Sequence, residues 1–153
     1  MYDTVKQSID SAQNIVVIQP ENPDADSLAT SLALEEILGD LGKSVSLYCA
    51  IDMPKYLRYI EGWARVNNEW TGKYDLALIV DTATETLIAK ALTIPGIRHF
   101  LETHPTIVLD HHGEGDENDN DLSFPHEFIL DSEAAATSEL IYTLATTAGW
   151  TIN

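Results

Sequence analysis

The chain has 153 residues, which is the usual length of one globular domain. Hydrophobic residues make up 44% of it, too large a share for a disordered protein, and the formal net charge is −17. A surface this acidic repels phosphate backbones and argues against a clamp for long double-stranded nucleic acid, although bound divalent cations can reverse the local field.

The sequence carries no membrane or disulfide signal. Cys49 is the one cysteine and cannot form an internal disulfide. Residues 1–13 are polar and lack the apolar centre of a signal peptide, and no run of about 18 apolar residues follows. The expected location is therefore cytoplasmic, without a membrane partner.

Buried strands and helices are predicted to alternate along the chain. Residues 14–18 (NIVVI) form a β-branched run that suits a strand covered on both faces. A loop with two prolines follows, and Asp26 or Ser27 is predicted to cap a helix that ends near Gly39. The other predicted elements are strands at 44–50, 75–80, 106–109 and 127–130 and helices at 54–60, 84–92, 97–102 and 132–148.

This alternation predicts an α/β fold with an open, mostly parallel, Rossmann-like sheet flanked by helices. In such sheets ligands bind outside the carboxyl ends of the strands. Three predicted strands end near acidic residues, namely Asp24, Asp81 and Asp110. The fold is therefore expected to bring three distant segments to one edge of the sheet.

The acidic residues at these strand ends have two interpretations. Asp24 and Asp26 lie two residues apart where a loop enters a helix, and carboxylate oxygens are hard ligands suited to Mg²⁺ or Mn²⁺. Helix capping is the alternative, because an Asp before a helix accepts backbone N–H bonds. Asp81 also has two interpretations, since a lone Asp at a strand end suits a turn as well as a metal site.

Asp110, His111 and His112 form the most specific chemical signal. One of two adjacent histidines can bind a metal while the other faces the substrate as an acid or electrophile. The Asp can orient an imidazole. The polar residues Thr137 and Ser138 of the last helix receive no functional role, because packing and solvent exposure explain them.

Taken in order, these segments resemble the DHH phosphoesterase superfamily. The first motif of that family is a His-x-x-Pro-Asp-x-Asp loop, which reads PENPDAD at residues 20–26 here. The second is an Asp at a strand end, here IVDT at 79–82, and the third is VLDHH at 108–112. Residues 129–142 resemble the helix that follows the third motif, so the likeness covers nearly the whole chain.

The resemblance implies a hydrolase with a site for two Mn²⁺ or Mg²⁺ ions. The most similar subgroup contains small bacterial enzymes that degrade oligoribonucleotides, hydrolyse 3′-phosphoadenosine 5′-phosphate or cleave cyclic dinucleotides. The implied partners are therefore a nucleotide or short oligonucleotide substrate and, as in relatives with a second domain, a second copy in a homodimer. The implied roles are Asp24 for one metal, Asp26 and His111 for the other, Asp81 as the bridge, His112 at the scissile phosphate and Asp110 orienting a histidine.

Two departures from the family pattern qualify this expectation. Pro20 stands where the first motif has its histidine, and Gln19 and Glu21 are the neighbouring candidates to replace that ligand. The chain also ends before the strand and substrate-binding domain that follow in family enzymes, so residues 1–153 are expected to be the N-terminal DHH domain alone. The alternatives are a truncated or degenerate non-catalytic domain that binds a nucleotide or a protein, and a plain structural α/β domain.

Overall fold

A computed structural model describes residues 2–70, 72–82, 84–110, 122–130 and 136–150 of the chain. Within these ranges the strands form one six-stranded sheet in the order β3-β2-β1-β4-β5-β6, and every neighbouring pair is parallel. The strands are β1 (Asn14–Ile18), β2 (Ser44–Tyr48), β3 (Val66–Asn67), β4 (Leu76–Val80), β5 (Thr106–Asp110) and β6 (Glu127–Leu130).

Helices cover both faces of this sheet, and the predicted α/β class with a parallel sheet is confirmed. The helices α1, α2 and α5 share one apolar core with the sheet, and α3 and α4 share a second core on the opposite face. The helices are α1 (Tyr2–Ser11), α2 (Ala25–Asp40), α3 (Ala89–Leu92), α4 (Pro95–Thr103) and α5 (Thr137–Ala148). None of the described helices is long and apolar enough to cross a bilayer.

The central strands are buried because each side chain meets a helix on its own side. Val17 and Leu78 belong to the core beneath α2 and α5, whereas Val16 and Ile79 belong to the core beneath α3 and α4. All four side chains are fully buried. This two-sided burial explains why the sequence shows continuous apolar runs here rather than an alternating pattern.

Several element boundaries differ from the prediction. Helix α1 was missed, although Val5 and Ile9 lie one turn apart and are fully buried. The helices predicted at 54–60 and 84–92 are largely 3₁₀ turns, at Lys55–Leu57 and at Glu85–Ile88 before α3. The start of the predicted last helix partly lies outside the described residues.

The chain order creates a crevice between β1 and β4. From β1 the chain passes through α2 to β2 and β3 on one side, whereas β4, β5 and β6 lie on the other side. The carboxyl ends of β1 and β4 are thus neighbours, and the loops that follow them lead in opposite directions. Open α/β sheets bind ligands at such a position.

Candidate functional site

The loop after β1 delivers Asp24 to the start of α2, where it caps the helix. Its Oδ1 accepts the Ser27 N–H at 2.8 Å, and its own N–H donates to the Ser27 Oγ at 3.0 Å. The predicted caps, Asp26 and Ser27, are wrong, because both already lie inside the first turn of the helix. The cap engages Oδ1 and the side chain is exposed, so the carboxylate stays accessible to a cation.

Two substitutions of Asp24 separate its capping from a metal-binding role. Asparagine caps helices as well as aspartate does, so Asp24→Asn is expected to keep the free energy of unfolding while weakening Mn²⁺ binding. Asp24→Ala is expected to lose both the cap, at a cost of roughly 0.5–2 kcal/mol, and the metal affinity. Thermal melts and calorimetric Mn²⁺ titration measure the two effects. Unchanged affinity in Asp24→Asn would leave this residue as a cap alone.

The Asp26 side chain reaches from α2 to the start of α5. Its Oδ2 accepts the Thr137 N–H at 2.9 Å, and its Oδ1 accepts the Ser138 N–H at 3.2 Å. Burial acts to raise the pKa of Asp26, but these two backbone donors, together with hydrogen bonds from the Ser138 and Asp81 side chains, outweigh it and hold the pKa below the usual value of 3.8. Asp26 is therefore a carboxylate at neutral pH, held at the positive end of a helix.

Asp81 follows β4 directly and is almost completely buried. Its φ of 63° makes it the one non-glycine residue with a positive φ in the described part of the chain. Asp and Asn enter this left-handed region more readily than other non-glycine residues. The Asp81 N–H donates to the Leu109 carbonyl at 2.9 Å, which ties the turn to the end of β5.

Thr137 connects the two carboxylates. Its backbone N–H donates to Asp26, and its hydroxyl donates to the Asp81 Oδ1 at 2.9 Å. Thr137 is fully buried, and the Asp26 and Asp81 side chains are also within hydrogen-bonding reach of each other. Packing and solvent exposure, the explanation predicted for Thr137 and Ser138, therefore do not account for their hydrogen bonds to Asp26 and Asp81.

Asp110 ends β5 beside Asp81. The register pairs Val80 with Leu109, so the next residues of the two strands are Asp81 and Asp110, and Asp110 is only 4% exposed. The structure thus places Asp24, Asp26, Asp81 and Asp110 along one edge of the sheet. The predicted roles of His111 and His112 fall on residues outside the described ranges. Among the residues that the structure describes, no group of three or more His, Cys, Asp or Glu side chains is arranged to hold a metal.

The neighbours of Pro20 have different roles. The two carboxylate oxygens of Glu21 accept the Lys90 and Ala91 N–H groups, each at 2.9 Å, and so hold the first turn of α3. The Gln19 side chain is buried, and in the described part of the chain neither its Oε1 nor its Nε2 has a hydrogen-bond partner. Of the two candidates to replace the motif histidine, Glu21 is thus already engaged.

Comparison with known proteins agrees with the fold. The family model described as the DHH family, N-terminal domain, matches residues 14–152. An exopolyphosphatase-related protein from Bacteroides fragilis has a similar structure, with a TM-score of 0.78 at 20% sequence identity. The similarity covers 97% of this chain but 43% of that protein. A search of curated proteins finds no significant match.

Proposed function

The chain belongs to the DHH family, and we propose that it is a divalent-metal-dependent phosphoesterase domain that acts on nucleotide-type phosphoesters. The fold is of the phosphoesterase type. The observation that carries the proposal is the pair of carboxyl groups, Asp26 and Asp81, that Thr137 links by hydrogen bonds at the crevice. Asp26 is ionised at neutral pH, Asp81 is buried, and Thr137 holds both. When both of these carboxyl groups are ionised they repel each other, and a divalent cation relieves that repulsion.

The donor set fits Mn²⁺ or Mg²⁺. Carboxylate oxygens are the hard ligands that these ions prefer, and an imidazole is compatible with Mn²⁺. Asp24, Asp26, Asp81 and His111 would hold the metal, with two ions in a complete site. When bound, such ions supply an activated water and stabilise the charge that develops on the transferred phosphoryl group.

The residues of the chain fix this geometry in advance. Thr137 is a single buried residue that orients both carboxylates. The Asp81 backbone is held by its hydrogen bond to the Leu109 carbonyl. The N-terminal ends of α2 and α5 meet at Asp26, and their positive dipoles offset part of its negative charge. His112 would contact the scissile phosphate and Asp110 would orient a histidine.

An exposed aromatic side chain beside the crevice supports a nucleotide substrate. The Tyr56 hydroxyl donates to the Pro23 carbonyl at 2.8 Å, one residue before Asp24, while the residue is 65% exposed. This hydrogen bond fixes the ring next to the metal-binding loop. Any of the nucleobases can stack on such a ring, which suits a phosphoester that carries a base.

Hydrolysis of phosphodiesters by the purified chain tests the proposal. With Mn²⁺ we expect release of nitrophenol from bis-p-nitrophenyl phosphate, faster cleavage of a dinucleotide, and loss of both with EDTA. Asp26→Asn is expected to remove the activity, and Asp10→Asn on the exposed surface of α1 is the matched control. No hydrolysis of either substrate with Mn²⁺ or Mg²⁺ would contradict the proposal.

A non-catalytic nucleotide-binding domain of the same fold is the second candidate. The observation in its favour is the first motif, since Pro20 has no ligand atom and the Glu21 carboxylate is bonded to α3. This candidate predicts calorimetric binding of a nucleotide without turnover in any divalent metal. Turnover that depends on Asp26 would exclude it.

A further inference from the structure

The Gln19 side chain is a buried amide that has no hydrogen-bond partner among the residues that the structure describes. The residue is 1% exposed, and within those ranges neither Oε1 nor Nε2 is bonded. Buried amides almost always form hydrogen bonds, because a buried amide without one has lost its contacts with water and gained nothing in return. A group of this kind therefore indicates a ligand, an ion or a trapped water as its natural partner.

Gln19 lies at the crevice between β1 and β4. Its N–H donates to the Tyr48 carbonyl at 3.0 Å, so the β1–β2 ladder continues one residue past Ile18. The β1–β4 register, extended in the same way, places Gln19 beside Val80, the residue before Asp81. Alternation along the strand puts its side chain on the side of Val17, which is the face covered by α2 and α5.

The other side chains of this strand end cannot supply a ligand. Pro20 has no donor atom in its side chain, and its carbonyl accepts the Cys49 Sγ–H at 3.5 Å. Burial raises the pKa of the Cys49 thiol to about 11, and sulfur is a soft donor that suits Mn²⁺ and Mg²⁺ poorly. Glu21 holds the start of α3 through both carboxylate oxygens. Gln19 is the remaining candidate.

We propose that the Gln19 Oε1 is a ligand of the divalent cation in the crevice and supplies the donor that Pro20 lacks. This inference rests on the proposed metal-dependent function. An amide oxygen is a hard, neutral donor suited to Mn²⁺ or Mg²⁺. It replaces a neutral imidazole by another neutral group, so the charge of the site is unchanged.

The variant Gln19→Met tests the proposal, because it keeps an unbranched side chain of similar length without a strong donor or acceptor. Calorimetric titration with Mn²⁺ is expected to show affinity lower by at least about 10-fold, because even the outer partners of metal ligands account for 10- to 100-fold. Without metal, the melting temperature is expected to rise by a few degrees, because two unpartnered buried atoms are removed. Gln7→Met, at an exposed position of α1, is the matched control and should change neither quantity.

A second variant separates a ligand from a structural amide. Gln19→Glu keeps an oxygen donor and should bind Mn²⁺ at least as tightly as the natural chain, with a lower melting temperature in the absence of metal. Equal Mn²⁺ affinity in Gln19→Met and the natural chain would overturn the inference but leave the proposed function standing. Weak binding by both Gln19 variants would also overturn it. No Mn²⁺ binding by the natural chain would overturn the proposed function together with the inference.

Discussion

Replacing Asp81 by asparagine is expected to lower Mn²⁺ affinity by more than about 100-fold, since outer partners of metal ligands alone account for 10–100-fold. The change removes the charge of the proposed bridging ligand. It keeps the shape of the side chain, an oxygen that can accept the Thr137 hydroxyl, and a residue type that tolerates the φ of 63°. The free energy of unfolding is therefore expected to change little. Calorimetric Mn²⁺ titration and thermal melts of the same preparations measure both quantities.

The control substitutions at this position follow from its backbone. Asp81→Ala has the same loss of charge but places a residue with little tolerance for positive φ in the left-handed region, at a cost of roughly 1–2 kcal/mol. Asp3→Asn, at an exposed position of α1, should not alter the Mn²⁺ affinity. An Asp81→Asn protein that binds Mn²⁺ as tightly as the natural chain would refute the bridging role.

Replacing Thr137 by valine is expected to weaken both folding and metal binding. Valine has the same shape and keeps the backbone N–H that donates to Asp26, but it removes the hydroxyl that donates to the Asp81 Oδ1. Loss of a donor to a buried carboxylate should cost roughly 1–3 kcal/mol in the free energy of unfolding. Mn²⁺ affinity should fall by about 10- to 100-fold, as for other groups that orient a ligand. Urea denaturation and calorimetry measure these changes.

Thr137→Ser distinguishes the hydroxyl from the methyl group. Serine restores the donor and should recover most of the Mn²⁺ affinity. Thr146→Val is a suitable control, because Thr146 is an exposed residue of the same helix whose hydroxyl bonds only one turn back, to Tyr142. Mn²⁺ affinity in Thr137→Ser that is no higher than in Thr137→Val would be incompatible with an orienting hydroxyl.

The sheet was predictable because its strands are buried on both faces. Such strands have a local composition, continuous and rich in β-branched and aliphatic residues, that needs no tertiary information. The β1, β4 and β5 runs show this pattern, and their bounds agree with the prediction to within one residue. Helix α1 was missed because its apolar stripe is short and its other residues are polar.

The site was predictable only where its residues share a local signal. Asp81 and Asp110 come directly after or at the end of apolar strands, so the sequence indicates their edge of the sheet. Thr137 lies 111 residues from Asp26 and 56 residues from Asp81. No local pattern in the sequence around Thr137 predicts its contact with either residue. The engagement of Glu21 by α3 and the burial of Gln19 likewise depend on contacts between elements that are distant in the sequence.

Anomalous scattering from a crystal soaked in Mn²⁺ tests the central claim most directly, because it locates the ion. We predict an anomalous peak from an ion that is bonded to carboxylate oxygens of both Asp26 and Asp81, with the Gln19 Oε1 nearby. This peak should be lost in Asp81→Asn. Absence of a peak at this crevice at millimolar Mn²⁺, or a peak only on the acidic surface elsewhere, would contradict the account.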